Sequence, residues 1–197
     1  MPIVAGVDSS TQSCTIELRD PDSGKLLARG RRPRPRTFPP VSEQNPADWW
    51  AAFQGSLHDA LSAAGLTGGA LDAISVGAQC HGLVAMDVHG RPLRPVKLWN
   101  DTTSSPQAAA MVARKGVEWW VRTVGSAPTA AFTITKLAWL AEHEPDLLRQ
   151  VRSVCVPHDW LTYRLSGRHV TDRSDVDVGL ATVEFLFRHD FLRRLLM

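Results

Sequence analysis

The stretch Val4-Ala5-Gly6-Val7-Asp8-Ser9-Ser10-Thr11-Gln12-Ser13-Cys14-Thr15-Ile16-Glu17-Leu18-Arg19 decides how the chain begins to fold. Ile3 to Val7 is a short β-forming run that ends at an acid and a cluster of small hydroxyl residues. From Cys14 the pattern alternates. Cys14, Ile16 and Leu18 fall on one side, and Thr15, Glu17 and Arg19 on the other, which is the period of a half-buried strand. Pro21-Asp22-Ser23-Gly24 has turn composition, and Leu26 to Arg29 begins a third strand. Three strands joined by short turns predict an antiparallel meander.

Beyond the meander, Arg29 to Pro40 is basic and proline-rich and predicts no packed element. Asn45-Pro46 predicts a helix start, because Asn caps and Pro suits the first helical position. Trp50, Phe53, Leu57 and Leu61 then recur at helical spacing, and Gly65 supplies a stop. Leu71 to Ala78 reads as a buried strand, and Leu83 to Val88 as another that turns at His89-Gly90. Helices are expected from Ser105-Pro106 to about Lys115, over Val117 to Val124, and over Thr135 to His143 with Leu137 and Leu140 on the apolar side. A short strand over Ser153 to Val156 precedes a helix capped by Asp159 that runs through Leu165 to Gly167. Strands and helices alternate in the second half, so the class is α/β. No internal repeat or domain boundary is visible.

The bulk composition bounds the function without choosing it. A chain of 197 residues, 44% hydrophobic, is long enough for one domain with a core. The net charge of +2 marks neither a nucleic-acid nor a membrane partner. Arginines between Arg29 and Arg36, broken by Pro33 and Pro35, read as a solvated strand edge and loop rather than a nucleic-acid arm. No run approaches the roughly 18 apolar residues of a membrane span, and the start does not read as a signal peptide. Cys14, Cys80 and Cys155 form no CxxC pair, so neither a disulfide framework nor a zinc site is expected, and a reducing, cytoplasmic setting is. Cys14 and Cys155 read as small buried apolar residues. Trp49, Trp50, Trp119, Trp120, Trp139 and Trp160 read as helix-packing residues rather than a stacking platform for sugars.

The hairpin loop has chemistry of its own. Ser9, Ser10, Thr11 and Ser13 offer hydroxyl donors, and a tight turn exposes backbone N–H groups to an anion. Asp8 suits a hydrated Mg2+, which takes one or two carboxylates and keeps its waters. The same residues also suit an ordinary turn, and no GxxxxGK[ST] pattern occurs.

Several segments together resemble one family. Val4 to Ser13 resembles the first phosphate hairpin of the FGGY family of carbohydrate kinases. Glu43-Gln44-Asn45-Pro46-Ala47-Asp48-Trp49-Trp50 is similar to the start of that family's first helix. Gly77-Ala78-Gln79-Cys80-His81-Gly82-Leu83-Val84 resembles its sugar-site segment, and Leu98-Trp99-Asn100-Asp101 its W-x-D segment. Pro157 to Gly167 and Thr171 to Asp175 are similar to later signatures. Within the family, Gln79 to Gly82 and Trp99 to Asp101 look most like the xylulokinase branch.

The resemblance covers about residues 1 to 175 and implies a ribonuclease H-like, actin-like fold of two lobes, with a mixed sheet that opens on the meander. Residues 1–197 would be an incomplete N-terminal, sugar-side lobe, without the C-terminal nucleotide lobe. The implied reaction moves the γ-phosphoryl group of ATP, with Mg2+, to the 5-hydroxyl of D-xylulose. Gln79, Cys80, His81 and Asp101 would bind the sugar. Asp8, Ser10, Thr11, Gln12 and Ser13 would meet the phosphates, with Asp8 at the metal. His81 would hydrogen-bond a sugar hydroxyl, or serve as a satisfied core histidine. Asp101 would orient the sugar site or brace its own loop. The family's catalytic aspartate lies in a downstream Gly-Asp segment, past Met197, so no catalytic residue is expected here. The implied partners are a ketose and a complementing C-terminal lobe or second copy, with no nucleic acid or membrane; a non-catalytic remnant or sugar-binding half-module is the alternative.

Some positions depart from the family pattern. Cys80 stands where the branch usually has Met, and Thr15 where many members carry Lys. Thr103 stands where a basic residue is usual, so an ion pair from that residue is expected to be lost. After Asp175, Val176 to Leu180 intervene, and Phe185, Leu186, Phe187, Phe191 and Leu192 are expected to form an exposed apolar patch unless a partner covers them.

Overall fold

The alternation of the opening stretch becomes two paired strands, β1 (Val4–Ser9) and β2 (Ser13–Arg19), in the computed structural model, which describes residues 2–171. The described chain falls into two units. The boundary was invisible in the sequence because both units draw on discontinuous segments. The first combines residues up to Arg36 with Asn45–Gln79, and the second combines Thr37–Gln44 with the described residues from Cys80 onward.

In the first unit, β1 and β2 are antiparallel, with Asp8 opposite Thr15, and β3 (Leu26–Pro33) continues the meander with Arg31 opposite Thr15. β4 (Glu43–Gln44) belongs to the second unit. α1 (Pro46–Ala64) crosses one sheet face, and β5 (Ala73–Ala78) pairs parallel with β1. The sheet order is β3-β2-β1-β5, mixed as expected. Ala5, Val7, Cys14, Ile16, Leu18 and Ala28 are buried with Ala52, Phe53 and Ala60 of α1.

α1 starts as predicted: the Asn45 side chain accepts from the Ala47 N–H at 2.9 Å, Pro46 opens the helix, and Gly65 closes it with φ of 66°. Its buried stripe is Trp49, Ala52, Phe53, Ser56 and Ala60, while Trp50, Leu57 and Leu61 pack at the margin. β3 runs four residues past its expected end, from Arg29 to Pro33. The arginine run hides this, because Ala28 and Gly30 face α1 while Arg29 and Arg31 face the other way. Pro33 closes β3 at the edge of the sheet, where a missing N–H is tolerated. β5 is not the buried strand expected. It is mostly exposed, Ile74 by 38%, and among the described residues only β1 pairs with it.

In the second unit, β4 pairs with β7 (Val96–Lys97), and β6 (Val84–Met86) pairs with β8 (Ser153–Cys155). Around them stand α2 (Ser105–Lys115), α3 (Val117–Val124), α4 (Thr133–His143), the short α5 (Pro145–Leu148) and α6 (Pro157–Ser166). Leu137 and Leu140 of α4 are fully buried with Leu83, Ala85 and Val151. Trp120 is buried beside Met111, Ile134 and Ala138, and its Nε1–H donates to the Met111 carbonyl at 3.0 Å. Trp49 and Trp160 are likewise buried on helices, as packing residues should be. Cys14 and Cys155 are buried, and burial pushes both thiols up.

Asp159 does not cap α6. The helix starts two residues earlier at Pro157, which suits the first turn, and Asp159 is buried with a carboxylate oxygen 2.9 Å from His158 Nδ1. The segment after Thr171, including Asp175, Val176 to Leu180 and the apolar residues Phe185, Leu186, Phe187, Phe191 and Leu192, lies outside the described residues. Among the described residues, no helix is long and apolar enough to cross a membrane.

Candidate functional site

The loop between β1 and β2 is held from within the first unit. Arg34 does most of the holding. It is buried, its Nη1 donates to the Ser10 carbonyl at 2.8 Å, and its Nη2 donates to Ser9 Oγ. The Arg34 N–H donates to the Gln12 carbonyl at 2.8 Å, and the guanidinium lies over the Trp49 ring. Burial pushes the Arg34 pKa down, and Cys14, Asp8 and Asp48 oppose the fall. The arginine run was read as solvated, so this brace was missed. Its signal is Arg34 between Pro33 and Pro35, which fix the backbone beside it.

The hydroxyls of the loop are partly engaged. Ser10 Oγ donates to the Ser13 carbonyl at 3.2 Å, and Thr11 Oγ1 donates to Gln79 Oε1 at 3.0 Å. Thr11 and Gln79, assigned in the sequence to phosphate and sugar, therefore touch. Asp8 lies on the sheet face turned away from α1, at a cleft of about 400 Å³ lined also by Gly6, Thr15, Glu17, Arg29 and Gly77. Its carboxylate has no hydrogen-bond or ion-pair partner among the described residues, and a side chain at Gly6 would meet nothing within 4 Å. One unpaired carboxylate with open space beside it fits a hydrated Mg2+. Among the described residues, no group of three or more His, Cys, Asp or Glu surrounds a metal-sized point.

In the second unit, Cys80-His81-Gly82 forms a tight turn. The Gly82 N–H donates to the Cys80 carbonyl at 2.7 Å, and His81 takes φ of 55°. Three-residue turns of this hand are rare and strained. The His81 carbonyl accepts from Thr133 Oγ1 at 3.1 Å, and its ring packs against Phe132 with centroids 5.1 Å apart. Cys80 is exposed. A Cβ at Gly82 would come within 2.8 Å of Pro157, so the close approach requires glycine there.

Asp101 is a brace. It is 1% exposed. Its Oδ2 accepts from the Ser42 N–H at 2.9 Å, and its Oδ1 accepts from the Thr103 N–H at 3.0 Å and from Thr103 Oγ1. Lys97 Nζ, buried, stands 3.5 Å from Asp101 Oδ1, donates to Thr103 Oγ1 at 2.7 Å, and meets Glu43 Oε1 at 3.1 Å. Thr103 makes hydrogen bonds and no ion pair, as expected; the cation at Asp101 comes instead from Lys97, four residues earlier. Trp139 roofs this ammonium at 3.8 Å, and Arg94 joins through Glu43 at 2.8 Å and Glu144 at 3.3 Å.

Lys136, wholly buried on α4, donates to the carbonyls of Ala130 and Ala131. Burial pushes its pKa down to about 7; Asp101 opposes the fall and Lys97 adds to it. An unfolded lysine keeps its proton to about pH 10.4. Between those values the unfolded chain binds more protons, so stability rises with pH, by at most about 1.4 kcal/mol per unit. Urea midpoints of the parent and Lys136→Met at pH 7, 8 and 9 should diverge, with only the parent gaining this increment. Parallel profiles would reject it.

The mixed β3-β2-β1-β5 sheet that opens on a hairpin belongs to an actin-like, ribonuclease H-like fold. Residues 3–179 match the FGGY family of carbohydrate kinases, N-terminal domain, and the chain belongs to that family. It is 45% identical over 175 residues to a xylulose kinase of Streptomyces rubiginosus, covering 88% of this chain and 36% of that one. The crystal structure of xylulose kinase from Bifidobacterium adolescentis superposes with a TM-score of 0.85 at 34% identity, over 99% of this chain and 43% of that one. A gluconate kinase from Lactobacillus acidophilus gives a TM-score of 0.85 at 22% identity, over 98% of this chain and 40% of that one, a likeness of fold. The chain therefore spans little more than a third of the curated relative's length.

Proposed function

We propose that this chain is the sugar-side, N-terminal lobe of an ATP-dependent ketopentose kinase that converts D-xylulose to D-xylulose 5-phosphate. The observation that carries the reading is the 45% identity to a xylulose kinase over 88% of the chain. The loop Ser10-Thr11-Gln12-Ser13 presents its turn to the ATP phosphates, and Asp8 holds the hydrated Mg2+, which offsets phosphate charge when bound. Gln79, Cys80 and His81 meet the ketose, and Asp101 fixes the Trp99-Asn100 loop beside it. The family resemblance implies that the catalytic base and the nucleotide lobe lie C-terminal to these residues. The setting is cytoplasmic.

Phosphoryl transfer rests almost entirely on positioning and charge stabilisation, so one wall of the cleft is not enough. A second reading is a sugar-binding half that works with a C-terminal lobe supplied separately. Both readings are tested by ADP release from the chain mixed with the C-terminal portion of the Streptomyces rubiginosus enzyme. D-Xylulose should turn over at least about tenfold faster than glycerol or other ketoses, a difference of about 1.4 kcal/mol in transition-state binding. Preference for glycerol would sink the substrate assignment. Turnover by the purified chain alone would reject the half-module.

A further inference from the structure

The sheet face away from α1 is organised in rows, because in-register neighbours point to the same side. Gly77, Asp8, Thr15 and Arg31 form one row across β5, β1, β2 and β3. Ser75, Gly6, Glu17 and Arg29 form the next. The neighbouring arginines are occupied. Arg29 Nε donates to Glu17 at 2.9 Å, Arg19 meets the same carboxylate at 2.7 Å, and Arg32 meets Asp59 at 2.6 Å. Arg34 is consumed inside the loop.

Arg31 is different. Its Nε donates to Ser13 Oγ at 3.3 Å, and it meets no carboxylate among the described residues. It stands one strand from Thr15 and two from Asp8, with strands about 4.8 Å apart. The short Thr15 side chain leaves the row open between guanidinium and carboxylate. An exposed guanidinium beside a serine hydroxyl of the loop, in the row of a carboxylate that fits Mg2+, is a fork suited to phosphate oxygens.

We infer that Arg31 binds the terminal phosphates of a nucleoside triphosphate and supplies from β3 the positive charge that Thr15 does not supply from β2. This rests on the kinase reading above, and the site it describes is an oligophosphate site whatever the sugar.

The test titrates the 197-residue chain with magnesium pyrophosphate and with MgATP by calorimetry. Arg31→Ala should weaken both about tenfold, as loss of a charge-assisted hydrogen bond does. Arg32→Ala, whose side chain Asp59 already holds away from the Asp8 cleft, should change either by less than about twofold. Thr15→Lys in the Arg31→Ala background should restore binding, which a merely structural role for Arg31 would not allow. Equal affinity of parent and Arg31→Ala, or no pyrophosphate binding by the parent, overturns the inference. Ketose turnover that survives Arg31→Ala overturns Arg31 and leaves the kinase reading. Arg31-dependent pyrophosphate binding without ketose turnover in the complemented protein keeps the anion site and removes the kinase reading.

Discussion

Gly30→Ala should lower the unfolding free energy by about 3 kcal/mol, at the upper end for overpacking a core. A Cβ at Gly30 would stand 1.9 Å from the Ser56 carbonyl oxygen and 2.8 Å from the Ala60 nitrogen. Both are backbone atoms of α1, so no side chain can swing aside and the helix itself must lift. Ser56 Oγ also donates to the Cys14 carbonyl at 2.9 Å, and lifting α1 breaks that buried link. Gly6 is the control, because its added Cβ would meet nothing within 4 Å on the opposite face. Gly6→Ala should stay within about 0.5 kcal/mol of the parent. Urea denaturation of both variants decides the matter, and equal midpoints would refute the packing argument.

Lys97→Met should cost about 3 kcal/mol or more, the usual result of removing one partner from a buried charge pair. It leaves the Asp101 carboxylate enclosed, with hydrogen bonds from Ser42 and Thr103 and only the longer-range influence of Lys136 for compensation. Glu43 retains Arg94, so the strain falls on Asp101. Thr103→Arg in the same background should recover part of the loss, since position 103 adjoins the same carboxylate oxygen. Chemical denaturation of the single and double variants measures both effects. A cost under about 1 kcal/mol would mean the pair is worth no more than a surface ion pair.

The parts legible in the sequence were those written in local chemistry. Alternation from Cys14 to Leu18 placed β2, and Asn45-Pro46 with Gly65 bounded α1. The parts that were not legible depend on partners distant along the chain. Gly30 looks like one more residue of a basic run until α1 packs against it. A run such as Leu71 to Ala78 reads the same whether both its sides are covered or one edge lies open. β4 and β7 are two residues each, too short for any periodicity. At the candidate site, the family motifs located the loops but not their braces. Arg34 and Lys97 carry no motif; each is recognised only when its side chain is seen buried against the loop it holds.

The turn at His81 bears on how selection acts there. Its φ of 55° suits glycine and penalises an imidazole-bearing residue by on the order of 1 kcal/mol. The backbone alone would therefore favour losing the ring, against its packing on Phe132. A chain that keeps histidine at this position carries a standing conformational cost, and drift toward glycine would relieve the backbone while erasing the ring. Position 81 is thus a place where backbone ease and the presence of a ring pull in opposite directions.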